Sequence, residues 1–189
     1  MSNRPHVKLA LLEFYLLDVV TSRFHAQGCI DAFDFFCIVI WKANRAKSKI
    51  AKRLMKDREE GLDQIVQQLT TKIYRAPTHR DRLHILMKEY GFLFPMASAI
   101  LTVLYPDDFT VYDVRVCEQL KDFTELAGAT SMDSIWSGYE AYLQAVIKYN
   151  PAQLCLRDRD RELWGRSFAR QLEKQIDERF CTSAQNADA

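Results

Sequence analysis

Apolar residues recur along this chain at spacings of three and four, with polar positions between them, and that period belongs to helices. Leu9, Leu12, Leu16, Val19 and Val20 fall near one face of a first helix over residues 7–24, which Gly28 closes. Asp31 stands where an N-cap would begin a second helix. The apolar run Phe33–Trp41 follows and leads into a basic stretch, so the pattern predicts helix over 31–57, with or without a kink at Lys42. Further helices are predicted at 62–74, 79–90, 95–104, 113–126, 131–149 and 158–179.

The residues between these stretches suit their ends. Ala76-Pro77 breaks a helix, and Thr78 with Asp81 three positions on resembles a capping box. Gly91 fits a C-cap, Pro95 a first turn and Asp113 an N-cap. Gly128 ends the 113–126 helix, and Asn150-Pro151 pairs a capping residue with a first-turn proline. Trp164, Phe168 and Leu172 stand four apart and are predicted to be core. The expected fold is all-α, a compact multi-helix bundle. Residues 1–182 form a single helical domain, alternatively two lobes (1–90 and 91–182) around a cleft, and 183–189 a flexible tail.

Composition narrows this. The chain has 189 residues, 48% of them hydrophobic, which suffices for a real core. Only 6 Gly and 5 Pro punctuate it, too few for a strand-rich fold. Net charge is +1, yet residues 1–90 carry 16 Lys and Arg against 10 Asp and Glu, while 91–189 carry 10 against 15. A basic first half favours an anionic partner. The 5 cysteines are odd in number and show no CxxC spacing, so a reducing, cytoplasmic setting is expected. The N-terminus lacks the long apolar core of a signal peptide, and Phe33–Trp41 is too short to span a bilayer, so no membrane partner is expected. His6, His25, His79 and His84 have no ligand spacing, so neither metal nor cofactor is indicated. There is no G-x-x-x-x-G-K, G-x-S-x-G or G-x-G-x-x-G. Nothing names a protein partner.

Three places carry candidate chemistry. In a continuous helix, Lys42, Arg45, Lys49, Lys52, Arg53 and Lys56 would share an arc of about 100° and face phosphates as a row. The alternative is a solvated face. Trp41 beside this stretch could stack on a base, or simply end the buried face. The run Leu156–Gly165 alternates charges that make either surface pairs or, through Arg157 or Asp160, part of a cleft with Asp113. The third place is Tyr90–Leu120, which holds a helix stop, a tight turn, a small-residue helix, a loop and an Asp at a helix start.

That third segment resembles the helix–hairpin–helix superfamily of DNA glycosylases, the base-excision enzymes. Gly91-Phe92-Leu93-Phe94-Pro95-Met96-Ala97 stands where the family's hairpin reads roughly G-hydrophobic-G-x-K-x-A. Val111-Tyr112-Asp113-Val114-Arg115-Val116 stands where it carries its catalytic Asp motif, at the matching separation from Pro95. The resemblance covers about thirty residues. Leu93 replaces the second hairpin glycine, Pro95 the lysine nucleophile of bifunctional members, and Arg115 a histidine. The four-cysteine iron–sulfur loop of some members is missing.

The resemblance implies a DNA-repair hydrolase, a metal-free monofunctional N-glycosylase with DNA as partner and Asp113 catalytic. Lys42, Arg45, Lys49, Lys52, Arg115 and Gly91 would contact the nucleic acid. A carboxylate beneath the sugar would stabilise the positive charge that builds as the N-glycosidic bond breaks, once the base is flipped out. With Pro95 in place, no Schiff base forms at that position. A second reading keeps Asp113 as a helix cap alone and the protein as a non-enzymatic helical interaction or nucleic-acid-binding module.

Overall fold

Helix periodicity carries through to the structure. The computed structural model describes residues 9–149 and 154–180, and among them every regular element is helical. The fold class is all-α. The Asn150-Pro151 cap and the tail over 183–189 lie outside the described residues. The chain divides into two compact units, Met1–Val111 and Tyr112–Ala189.

In the first unit, α1 runs through Leu12–Phe14, a π-helical segment Tyr15–Val20 and Thr21–Gln27. Gly28 closes it at φ 72°, a conformation glycine takes without steric cost. Asp31 caps α2 (Ala32–Ala43) by accepting from the Asp34 amide at 2.9 Å. A 3₁₀ turn, Asn44–Ala46, leads into α3 (Lys47–Met55), followed by α4 (Leu62–Arg75). Thr78 caps α5 (His79–His84, continued as π-helix over Ile85–Glu89) through the Asp81 amide, 3.1 Å away. Last comes α6 (Phe94–Leu104), on which α1, α2 and α5 pack.

The core of this unit is α6. Every residue from Met96 to Leu104 is buried, so it is apolar all round rather than striped. Its two internal hydroxyls bond their own helix: Ser98 donates to the Pro95 carbonyl at 3.2 Å and Thr102 to the Ser98 carbonyl at 2.9 Å. One charge is also buried. Asp34 accepts from the Tyr15 hydroxyl at 2.6 Å and pairs with the Arg23 guanidinium.

Of the two forms predicted for 31–57, the structure takes the broken one: two helices, parted just after Lys42. At Ala43 the backbone leaves helical geometry (φ −160°, ψ 83°), and the turn redirects the chain so that Ile50 and Leu54 are buried and α3 packs on α4. A straight continuation would lose that packing.

In the second unit, α7 (Val114–Leu120) precedes a 3₁₀ segment Thr124–Gly128, α8 (Met132–Lys148) and α9 (Leu156–Gln175, then π-helix over Ile176–Phe180). The predicted helix over 113–126 stops at Leu120. Lys121 and Phe123 both take left-handed backbone (φ 58° and 71°), and the Tyr112 hydroxyl donates to the Phe123 carbonyl at 2.6 Å, folding the segment back. The 3₁₀ segment lies tight on α8, where a Cβ at Gly138 would stand 2.1 Å from Leu126 Cδ2. Trp164, Phe168 and Leu172 are not core. They are 42%, 44% and 41% exposed, because α9 turns Asp160, Leu163 and Ser167 inward instead.

Candidate nucleic-acid interface

Only Ile50 and Leu54 are buried on α3, so the rest of that helix is free to display its charges. Lys49 and Arg53 stand one turn apart, beside the buried row. Arg53 donates from Nη1 to the Gly91 carbonyl. Gly91 sits at φ 67°, where an L side chain is strained, so the α5-to-α6 turn closes at glycine. The Phe92 amide donates to the Leu86 carbonyl at 2.9 Å, which holds the turn against α5.

Side chains alternate through the turn. Phe92 and Phe94 are 3% exposed and Leu93 between them is 72% exposed. The Leu93 carbonyl accepts from the Met96 and Ala97 amides, both at 3.0 Å, so its backbone is the fixed start of α6.

A groove of about 230 Å³ lies between these elements. Lys42, Lys49 and Arg53 line it from α2 and α3, Phe92, Leu93 and Pro95 from the turn, with Ile50 and Met96 between. No acidic side chain lines it. Of the predicted row of six, Lys42, Lys49 and Arg53 therefore meet at one groove with Gly91 beside them. Arg45, on the 3₁₀ turn, and Lys52 do not line it, because the break at Ala43 ends the continuous arc. Arg53 belongs to the predicted row of cations, whereas Leu93 was not among the residues expected to meet nucleic acid. Leu93 was legible as the odd residue between two phenylalanines.

Asp113 and Arg115 belong to the second unit. Asp113 has extended backbone (φ −139°, ψ 136°) and caps α7, with Oδ1 accepting from the Arg115 amide at 3.0 Å. The Asp113 side chain is half-buried. Arg115 turns to α9, its guanidinium carbon 5.4 Å from the Trp164 ring centroid and 5.7 Å from that of Phe168. The Arg115 Nη1 is buried with no hydrogen-bond partner. Behind the cap, Cys117 is fully buried and its thiol is pushed up to about 11 by burial, a hydrogen bond to Tyr112 partly offsetting this. Burial likewise raises the Tyr112 hydroxyl and, further in, that of Tyr142, which Asp160 also raises.

Arg157 and Asp160 pair with each other, and Asp160 is only 2% exposed. That pair is an internal tie of the second unit, unlike Arg161 with Asp158 or Arg166 with Glu162, which lie nearer solvent. Among the described residues no group of three or more His, Cys, Asp or Glu side chains is placed to hold a metal ion, and no helix is long and apolar enough to cross a membrane. No family model, curated protein or solved structure matches the chain.

Proposed function

We propose that this protein binds DNA through the groove between α3 and the Gly91 turn. The observation that carries this reading is the shared lining: three cations and the turn residues of the glycosylase-like hairpin border one groove with no acid among them. Lysines and arginines held in this way attract the phosphate backbone and release its counterions. The glycosylase resemblance adds a second step, cleavage of an N-glycosidic bond with Asp113 as the carboxylate beneath the sugar. The N-cap supports that step by fixing the carboxylate, since Oδ1 is held on the Arg115 amide. With Pro95 at the lysine position, the chemistry is monofunctional.

Binding without cleavage is the alternative, favoured by the same cap, which gives Asp113 a structural role of its own. A salt titration of duplex binding tests the common part. Lys42→Ala with Lys49→Ala should flatten the log–log salt slope by about 0.9 for each phosphate that is no longer neutralised. Arg45→Ala with Lys52→Ala, away from the groove, should change it less. Unchanged affinity and slope in the Lys42, Lys49 pair would remove the groove as the DNA face. A screen of duplexes carrying modified bases then separates a glycosylase from a binder.

A further inference from the structure

One face of α9 stays open to solvent. Trp164, Phe168, Leu172 and Ile176 recur every four residues and are 41–44% exposed. At 1.5 Å per residue they make a stripe about 18 Å long. The inward face of the helix is already taken by Asp160, Leu163 and Ser167, the last donating to Glu118 on α7 at 2.9 Å. The two rings of the stripe are ordered within the protein. Trp164 and Phe168 stack with their planes 7° apart and centroids 5.4 Å apart, and the Arg115 guanidinium lies over both. Further along, no side chain over residues 169–178 is buried.

We propose that this stripe is where two copies of the chain associate, with their α9 helices antiparallel about a two-fold axis near Arg170. Charge selects this occupant. Arg161 and Arg166 precede the midpoint of the stripe, and Glu173 and Glu178 follow it. An antiparallel copy centred on Arg170 sets Trp164 against Ile176 and Phe168 against Leu172. The same register, to within one residue, sets Arg161 against Glu178 and Arg166 against Glu173, and the two-fold makes each pair twice. Arg166 and Glu173 are about two turns apart, so they lie on one side of the stripe and meet across the pair. A parallel copy would set like charge on like. A nucleic acid or an anionic membrane would meet Glu173, Asp177 and Glu178, all exposed. Arg161, Arg166 and Glu178 now pair with Asp158, Glu162 and Lys174 of their own helix, near solvent. Exposed pairs of this kind contribute little, so exchanging them for pairs across the two-fold costs little. One helix face offers less than the roughly 800 Å² per partner of a standard interface, so the dimer is a reversible one. It involves the second unit alone and stands whether or not the groove on α3 binds DNA.

Sedimentation velocity on the full chain, from about 1 μM to about 1 mM, tests this across the range of weak association. The wild type should pass from monomer to dimer with rising concentration. Leu172→Glu, at an exposed position, should stay monomeric. Arg166→Glu and Glu173→Arg should each weaken the dimer by about tenfold, because each sets like charges together twice. The double variant should regain the wild-type affinity, and so should an equal mixture of the two single variants, which pairs opposite charges in a mixed dimer. Circular dichroism confirms that each variant is folded. A wild type that stays monomeric throughout overturns the proposal and leaves the stripe to a different protein. A dimer that survives Leu172→Glu, or a double charge variant no tighter than the single ones, overturns it as well.

Discussion

The Arg53 guanidinium donates to the carbonyl of Gly91, 38 residues further along the chain. One cation thus ties the basic helix to the turn and lines the groove between them. The carbonyl is free to be used in this way because Gly91 takes left-handed backbone at the end of α5. Charge and scaffold are joined in a single side chain, whereas Lys42 and Lys49 add charge to the rim.

Substitutions of Arg53 separate those two roles. Arg53→Ala should lower unfolding stability by about 1 kcal/mol, the usual net contribution of one such hydrogen bond, and also weaken duplex binding. Arg53→Lys should keep much of the binding, because the charge stays, while losing part of the stability, because a lysine lacks the planar fork. Urea unfolding and anisotropy measure the two. An Arg53→Ala variant as stable as wild type would mean that the tie contributes nothing to the fold.

Asp34 is the second place where a charge supports the scaffold. It is fully buried between the Tyr15 hydroxyl and the Arg23 guanidinium. Removing Asp34 leaves the buried Tyr15 hydroxyl unpaired and the Arg23 guanidinium, 24% exposed, with solvent for its partner, at a cost of up to about 3 kcal/mol. Asp34→Ala should destabilise by about that amount, and Tyr15→Phe by about 1 kcal/mol, since it removes one neutral donor. Thermal unfolding distinguishes them. Equal losses would show that Arg23 does not depend on Asp34.

Asp34 also shows what sequence conveyed and what it did not. It sits inside Phe33–Trp41 and, by pattern, only interrupts an apolar run; its partners Tyr15 and Arg23 come from another helix, a relation that periodicity does not carry. Local chemistry was legible wherever the cause was local. Asp31, Thr78 and Asp113 begin helices through their side chains, and Gly28 and Gly91 end them through the left-handed backbone that glycine adopts freely. Breaks driven by tertiary packing were not legible. The sequence left a kink at Lys42 open, but nothing in the stretch 42–58 decides for it, because the turn beside it at Ala43 exists to bring α3 onto α4. Trp164, Phe168 and Leu172 misled for a related reason: α9 offers two rows at helical spacing, and the row holding Asp160, Leu163 and Ser167 is the buried one.

Cys117 gives the second unit a pH dependence of definite sign. Burial raises its thiol from 9.0 to about 11 in the folded protein. Between those values the unfolded chain has lost the proton and the folded one keeps it, so the unfolded state binds fewer protons. Stability is therefore full below about pH 9 and falls as pH rises towards 11. The raised Tyr112 hydroxyl extends the decline further. Unfolding measured from pH 8 to 11 should show this, and Cys117→Ala should flatten it while creating a small cavity. At neutral pH the native Cys117 should resist alkylation while the exposed Cys155 reacts. Mass spectrometry of the labelled chain reads both sites, and early labelling of Cys117 would contradict its burial.

Asp113 is where binding and cleavage part. Its Oδ1 accepts from the Arg115 amide, a bond that asparagine can also make. Asp113→Asn should therefore change stability little, whereas Asp113→Ala should lower it by about 1 kcal/mol through the lost cap. Both should bind duplex as wild type does, because the groove cations are untouched. Cleavage behaves differently, since a carboxamide carries no charge for a developing sugar cation. If the chain is a glycosylase, Asp113→Asn should abolish nearly all release of the base from whichever modified duplex the wild type attacks. The wild-type product strand should keep an abasic site, and borohydride should trap no adduct, because Pro95 stands at the lysine position. Undiminished cleavage in Asp113→Asn would remove this carboxylate from the chemistry. A wild type that releases no base from any duplex, with Asp113→Ala merely less stable, would leave Asp113 a helix cap and the protein a binder.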